Sequence, residues 1–301
     1  MSENRIVGEI IDSSTAKPDN SGKSIADYKE EKSSERHYYG DALNDDNVND
    51  VIDDVVPHVV VIVGFPKYGK STFVASLYHA VLTIGKIGKF RFVDSDTITG
   101  FERRSQIRKL EHETKKRIDR TPVYADYFLS LLFENEENGQ LIKIVLSDRS
   151  GEKYREYAKF EKVIEEDKAL RYAKHILFFL DAKKIASDGF FDVQTDLRPL
   201  MIRMNKYGAF GDDKRIDVVF NKIDQAKDNP DYATNKSEIL SLIKNVTPVN
   251  KEFELCSLKV TDNDKLNLFF VYLLDCCAEP KHNSEEDAAH IDWVNTELSN
   301  I

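Results

Sequence analysis

At 301 residues and 41% hydrophobic side chains, the chain is long enough to bury a sizeable core in one large domain or two small ones. Its net charge of −10 is concentrated at the ends: residues 1–57 hold 14 acidic and 6 basic side chains, residues 279–301 hold 6 and 1, and the body between is slightly basic. That distribution gives no sign of a nucleic-acid-binding patch, and three cysteines without metal-ligand spacing argue against a zinc or disulfide scaffold.

In chain order, residues 1–50 are polar and aperiodic and are predicted to be a disordered acidic segment, or one that orders on a partner. A domain over 51–278 follows. The run from His58 to Val63 predicts a buried strand and Ser71 to Leu82 an amphipathic helix, with Phe73, Val74, Leu77, Tyr78, Val81 and Leu82 on one stripe. An extra strand over Lys89 to Val93 and a charged helix over Phe101 to Ile118 come next. A hairpin follows, with strands Tyr124 to Phe133 and Leu141 to Leu146. Then alternate a helix (Glu152 to Lys168), a strand (His175 to Leu180), a helix (Phe191 to Tyr207), a strand (Ile216 to Phe220), a helix (Ser237 to Lys244), a strand (Glu252 to Cys256) and a closing helix (Asp264 to Cys277). This alternation predicts an α/β fold whose mostly parallel sheet is covered on both faces. Glu279-Pro280 ends the last helix, and residues 279–301 form an acidic tail in which Ile291, Trp293, Val294 and Leu298 either dock as a short amphipathic element or fray. No signal peptide is recognisable, and Leu266 to Cys277 is too short to span a bilayer, so a cytoplasmic location is expected.

Gly64-Phe65-Pro66-Lys67-Tyr68-Gly69-Lys70-Ser71 matches G-x-x-x-x-G-K-[ST] and lies between the first strand and the first helix, followed by Thr72. Backbone N–H groups and a helix N-terminus there suit a phosphate chain; Lys70 would reach the β- and γ-phosphates and the Ser71 hydroxyl would hold Mg²⁺. Ser147-Asp148-Arg149-Ser150-Gly151 is a D-x-x-G at the exit of a buried strand, the edge where such sheets bind ligands. Asp148 would hold Mg²⁺ through a water, and the Gly151 N–H would meet the γ-phosphate. Asn221-Lys222-Ile223-Asp224 supplies N-K-x-D at the next exit. Its Asp224 carboxylate accepts from guanine N1–H and the 2-amino group together, a donor pair adenine lacks, while Asn221 would tie this loop to the phosphate loop and the Lys222 stem would cover the base. Ser257-Leu258-Lys259 follows the last strand; Ser257 would buttress the base loop, and a backbone N–H nearby would meet guanine O6.

These four segments, spanning residues 58–259, resemble those of the translation-factor-related and Ras-like P-loop GTPases. Their surroundings resemble the bacterial double-GTPase, or TRAFAC clade GTPase, domains: G-F-P-K-Y-G-K-S-T, Ser95-Asp96-Thr97 to Phe101-Glu102-Arg103-Arg104, Arg120-Thr121-Pro122, and Leu146 to Glu152. The resemblance implies a P-loop NTPase three-layer sandwich with a six-stranded sheet, five strands parallel and one antiparallel. It also implies GTP/GDP binding with Mg²⁺, hydrolysis by water attack on the γ-phosphate, and action as a switch with an unidentified protein partner, in a bacterial conflict or signalling system.

Asp148 lies 84 positions after Gly64, and the surplus, an insertion over about 86–122, falls where such proteins carry their first switch. The switch threonine that contacts Mg²⁺ and γ-phosphate is expected to be Thr121, with Thr97 and Thr99 as the alternatives. Arg117 and Arg120 are candidates for an arginine acting in cis on the transition state, against the simpler reading of a solvated charged face. Glu152 stands where Ras-like enzymes place a water-orienting glutamine, so it is either a general base or a first-turn acid of the next helix. Lys67 inside the phosphate loop either adds charge near the phosphates or points to solvent. Slow hydrolysis, or a GTP-binding scaffold with none, therefore stays open beside the switch, and a nucleoside or small-molecule kinase is disfavoured by N-K-x-D.

Overall fold

The first strand, β1 (Pro57–Val63), sends Val60 and Ile62 to one face of a sheet and Val61 and Val63 to the other, and both faces are buried. A strand enclosed on two sides reads as an unbroken apolar run, which is why this segment has no polar alternation. The structure is a computed structural model that describes residues 40–44, 55–109, 127–165, 167–257 and 263–278, all within the unit spanning residues 38–301.

Along the chain, β1 is followed by α1 (Lys70–Ile84), β2 (Lys86–Ile87), β3 (Phe90–Asp94), α2 (Ile98–Lys109), β4 (Tyr127–Asn135) and β5 (Leu141–Asp148). Three short helices, α3 (Gly151–Lys159), α4 (Glu161–Glu165) and α5 (Lys168–Tyr172), lead to β6 (His175–Asp181). Then come α6 (Ala182–Ile185), α7 (Phe190–Lys206), β7 (Arg215–Asn221), a 3₁₀ turn (Ile223–Gln225), α8 (Tyr232–Lys244), β8 (Lys251–Leu255) and α9 (Asn263–Ala278). The sheet order is β2-β3-β4-β5-β1-β6-β7-β8. From β5 to β8 all pairings are parallel, while β4 joins β5, β3 joins β4 and β2 joins β3 antiparallel.

Helices α1 and α9 cover one face through Phe73, Val74, Leu77, Phe269, Phe270 and Leu273; α3, α7 and α8 cover the other through Tyr154, Val193, Leu197, Met201 and Ile239. This is a three-layer α/β sandwich. It contains the five parallel strands and the antiparallel β4 that the six-stranded expectation describes, but the sheet has eight strands rather than six. The insertion contributes the other two. Gly85 (φ 73°) caps α1, its N–H donating to the Val81 carbonyl. A tight turn at Gly88 (φ 58°) then pairs Ile87 with Phe90, and β3 runs on against the far edge of β4.

Two other departures have physical causes. The single helix expected over Glu152 to Lys168 is three helices, because Asp167 turns inward to pair with Arg149 and to accept from Tyr157 Oη at 2.5 Å. Both partners of that ion pair have side chains no more than 1% exposed, and Asp167 also caps α5 by accepting from the Leu170 N–H. Within the acidic lead-in, residues 40–44 are described, and Leu43 is fully buried, exchanging two backbone hydrogen bonds with Phe128. The rest of the expected 1–50 segment, residues 51–54, residues 110–126, which include the end of the insertion, and the 279–301 tail lie outside the described residues.

Removing one partner of a buried ion pair strands the other charge, a loss of about 3–5 kcal/mol. Asp167→Ala is therefore expected to lower the unfolding free energy by roughly that amount, read from the urea midpoint at unchanged slope.

Candidate functional site

Four strand exits meet on one edge of the sheet. Val61 pairs with Ser147, Val63 with Phe178, Asp181 with Asn221, and Asn221 with Leu255, so the segments after β1, β5, β7 and β8 emerge side by side. In an open α/β sheet this carboxyl edge is where ligands bind.

After β1 the loop from Gly64 to Ser71 curls over this edge and enters α1. Phe65 and Tyr68 turn inward, 1% and 2% exposed, with their rings edge-to-face at 5.7 Å. Burial and the nearby Asp181 raise the Tyr68 phenol well above its ordinary pKa, so it stays protonated. Lys67 adopts a positive φ of 69°, and its carbonyl accepts from Lys222 Nζ at 2.6 Å. At Gly69 (φ 92°) an added Cβ would lie 2.1 Å from Asn221 Nδ2, so no side chain fits. Lys70 is folded onto the loop, donating to the Gly64 carbonyl at 2.5 Å, and Nζ lies 5.6 Å from the centroid of the Tyr154 ring. Burial lowers its pKa to about 8, against the opposing pull of Asp148 and Glu152. Ser71 and Thr72, both half-buried, begin α1.

The base-side loop is fastened to this one by a single side chain. Asn221 Nδ2 donates to the Tyr68 carbonyl at 3.0 Å, while its Oδ1 accepts from the Ser257 N–H at 3.1 Å and the Ser257 hydroxyl at 2.9 Å. Ser76 of α1 adds a bond from its hydroxyl to the Ser257 carbonyl at 2.7 Å. Lys222, at φ 63°, pairs with Asp181 at 2.5 Å. Asp224 follows in the 3₁₀ turn, half-buried with its Oδ1 shut off from solvent. Leu258 lies outside the described residues.

On the opposite flank, Asp148 is 2% exposed at the end of β5. Gly151 lies against the phosphate loop so closely that a Cβ on it would come within 2.2 Å of the Pro66 nitrogen. Ser150 caps α3 by accepting from the Lys153 N–H, which leaves Glu152 as a half-buried acid in the first turn. Thr121, Arg117 and Arg120 fall outside the described residues. Of the alternatives, Thr97 is fully buried and its Oγ1 accepts from the Ser130 N–H at 2.9 Å. The neighbouring Asp96 accepts from Ser130 Oγ and pairs with the buried Lys143 at 3.3 Å, so this segment pins the insertion to β4 and β5. Thr99 is half-buried on α2 beside Gly40.

Two residues at the site escaped the sequence reading. Asp181 ends β6, pairs with Lys222 and caps α6. Arg104 of α2 donates to Asp148. Helical phase carried a usable signal for it, since Arg104 follows the buried Phe101 by three positions whereas Arg103 faces outward to Asp41.

The donor set suits Mg²⁺. Asp148 and Ser71 offer hard oxygen donors; among the described residues no cluster of three or more His, Cys, Asp or Glu side chains could form an all-protein metal cage. A cation held by one carboxylate, one hydroxyl and the phosphates of a substrate fits that pattern. No helix among the described residues is long and apolar enough to cross a membrane.

The sequence model of a family described as Double-GTPase 2 matches residues 58–268. Among solved structures, the Arl6 BBS3 small GTPase of Trypanosoma brucei is similar at 15% identity and a TM-score of 0.41, over 75% of this chain and 100% of that one. The elongation factor SelB of Methanococcus maripaludis is similar at 15% identity and 0.38, over 75% and 35%. A bacterial selenocysteine-specific elongation factor is similar at 14% and 0.39, over 75% and 29%, so the match spans about a third or less of these factors' length. No curated protein matches the chain.

Gly69→Ala is expected to cost about 1–3 kcal/mol in unfolding free energy. Gly139→Ala is the control, with φ 72° but no atom within 4 Å of an added Cβ. It should cost less, and the difference between their denaturation midpoints measures the contact with Asn221.

Proposed function

Because the chain belongs to the Double-GTPase 2 family, we propose that its strand-edge site binds GTP with Mg²⁺ and hydrolyses it to GDP and phosphate, and that the chain works as a switch for a protein partner. The observation that carries this reading is the Asn221 carboxamide, which joins the phosphate loop, the N-K-x-D loop and Ser257 into one rim. A site for phosphates alone has no need of that join; a site enclosing a guanine and its phosphate tail does.

In this reading the loop N–H groups after Gly64 and the α1 N-terminus receive the phosphates, and Lys70 exchanges its carbonyl partners for the β- and γ-phosphate oxygens. Ser71 directly and Asp148 through a water would hold Mg²⁺, which would neutralise phosphate charge. Asp224 accepts from the guanine N1–H and 2-amino group. Water would attack the γ-phosphorus, the bond to the β–γ bridging oxygen would break so that GDP leaves with that electron pair, and the water's proton would pass to Glu152 or to the released phosphate, with the Gly151 N–H facing the γ-phosphate. Thr121 is the proposed switch ligand, and Leu258 belongs to the base-side loop. The cytoplasm, and a bacterial conflict or signalling system, are the proposed setting.

A GTP-binding scaffold without appreciable turnover is the second reading. It is favoured by Gly151 resting on Phe65 and Pro66 and by a carboxylate, Glu152, in the water-orienting position. Single-turnover hydrolysis separates the two: release of one phosphate per site supports the switch, and none above the buffer blank leaves the scaffold.

Two substitutions test the pocket. Lys70→Ala should weaken GTP binding by about 10- to 100-fold, the loss of a charge-assisted interaction, measured by fluorescent-nucleotide titration. Asp224→Asn should transfer preference from guanine to xanthine nucleotides in competition binding, with unchanged selectivity as the contrary result.

A further inference from the structure

The insertion sets a cation on the carboxylate that the nucleotide-site reading gives to the metal. Arg104 Nε donates to Asp148 Oδ2 at 2.5 Å, with side-chain exposures of 13% and 1%. The same guanidinium donates through Nη1 to the Gly100 carbonyl one turn earlier on α2 at 2.9 Å, and it lies 5.5 Å from the Tyr127 ring centroid. Other described ties of α2 run to α1 and to residues 40–41. Phe101 stacks on Tyr78 at 4.9 Å, Tyr78 Oη donates to Glu102 at 3.0 Å, the Gly100 N–H donates to the Gly40 carbonyl, and Arg103 pairs with Asp41. Arg104 is thus a side chain by which α2 reaches the D-x-x-G segment.

We propose that Arg104 is an exchangeable counter-ion for Asp148, giving way to Mg²⁺ when nucleotide loads, so that metal occupancy is felt directly by α2. The proposal rests on the nucleotide-site reading above. A carboxylate so thoroughly buried needs a matching charge in every state. Arg104 supplies it here, and a divalent cation drawn to the same oxygens repels the guanidinium. Lys70 also feels the Asp148 charge, but its ammonium is hydrogen-bonded to the Gly64 and Phe65 carbonyls. Each Mg²⁺ that binds must then displace an ion pair, which weakens the metal's apparent affinity and couples it to the insertion. When Arg104 leaves Asp148, its nearest fixed partner is the Gly100 carbonyl on its own helix, so the link between α2 and β5 at this point is lost.

The test uses the full chain and N-methylanthraniloyl-GDP, with binding titrated against MgCl₂. Arg104→Gln should move the half-saturating Mg²⁺ concentration down by about tenfold, the scale expected for one charge–charge contact. Arg104→Lys, which retains the charge but not the fork that also holds the Gly100 carbonyl, should fall between Arg104→Gln and the parent. Hydrogen exchange of the 101–108 amides in the unmodified chain provides a readout that needs no variant: exchange should be faster with Mg²⁺ and GDP than with GDP and EDTA. An Arg104→Gln midpoint that is unmoved or higher, or α2 exchange indifferent to Mg²⁺, overturns the proposal. Failure of the parent chain to bind the labelled GDP at any Mg²⁺ concentration overturns the nucleotide-site reading and this proposal with it. Normal binding with an unmoved midpoint overturns the Arg104 role alone.

Discussion

A primary amide has a donor and an acceptor on one carbon, and Asn221 uses both ends at once. Its Nδ2 donates to the Tyr68 carbonyl of the phosphate loop, while its Oδ1 accepts from the backbone and hydroxyl of Ser257. Aspartate has no donor to offer Tyr68, and leucine offers Ser257 no acceptor, so the three loops depend on a carboxamide at this strand end. Gly69 completes the arrangement from the other side, because any Cβ there would occupy the space of the Asn221 amide nitrogen. Neutral hydrogen bonds of this kind are each worth about 1 kcal/mol net, so their importance here is registration more than stability. They set the phosphate loop and the base-side loop at a fixed offset, and a ligand spanning both must match it.

The charges around that rim are matched within the protein. Lys70 is held by loop carbonyls, Asp148 by Arg104, Lys222 by Asp181 and the Lys67 carbonyl, and Arg149 by Asp167. Two kinds of pairing are present. Arg149, within the D-x-x-G segment, turns inward to Asp167, and that buried pair is held among Tyr157 and α5 as an anchor. The pairings of Lys70 and Arg104 lie on the side where phosphates and metal would enter, and a polyanion with a divalent cation offers each partner a stronger alternative. Desolvation makes the Lys70 ammonium costly where it stands, which favours its transfer to an incoming anion.

Much of this was legible in the sequence for a specific reason. Strands β1 and β7 are buried on both faces, so their mostly apolar runs stand out and their exits carry the polar motifs at positions the pattern fixes. The Asn221 join was expected from the N-K-x-D motif at the strand exit, and its amide does bond the phosphate loop. The extra hairpin was only half legible: β3 has five residues, but β2 has two, too few for any period to show. The break of the helix after Gly151 was not legible, since it depends on Asp167 meeting Arg149 across 18 residues of chain. Arg104 was hidden among many charges in the insertion, and only its phase relative to Phe101 sets it apart. The switch threonine stays a sequence-based assignment, with Thr97 already committed to Ser130.

The central claim is that one rim encloses both a guanine and its phosphates, and base selectivity tests it most directly. Calorimetric titration of the purified chain with GTP and with ATP, each in excess Mg²⁺, should give GTP binding tighter by two orders of magnitude or more, the scale on which a hydrogen-bonding site rejects an analogue lacking the matching groups. Equal affinities for the two nucleotides, or no heat from either, would contradict the account.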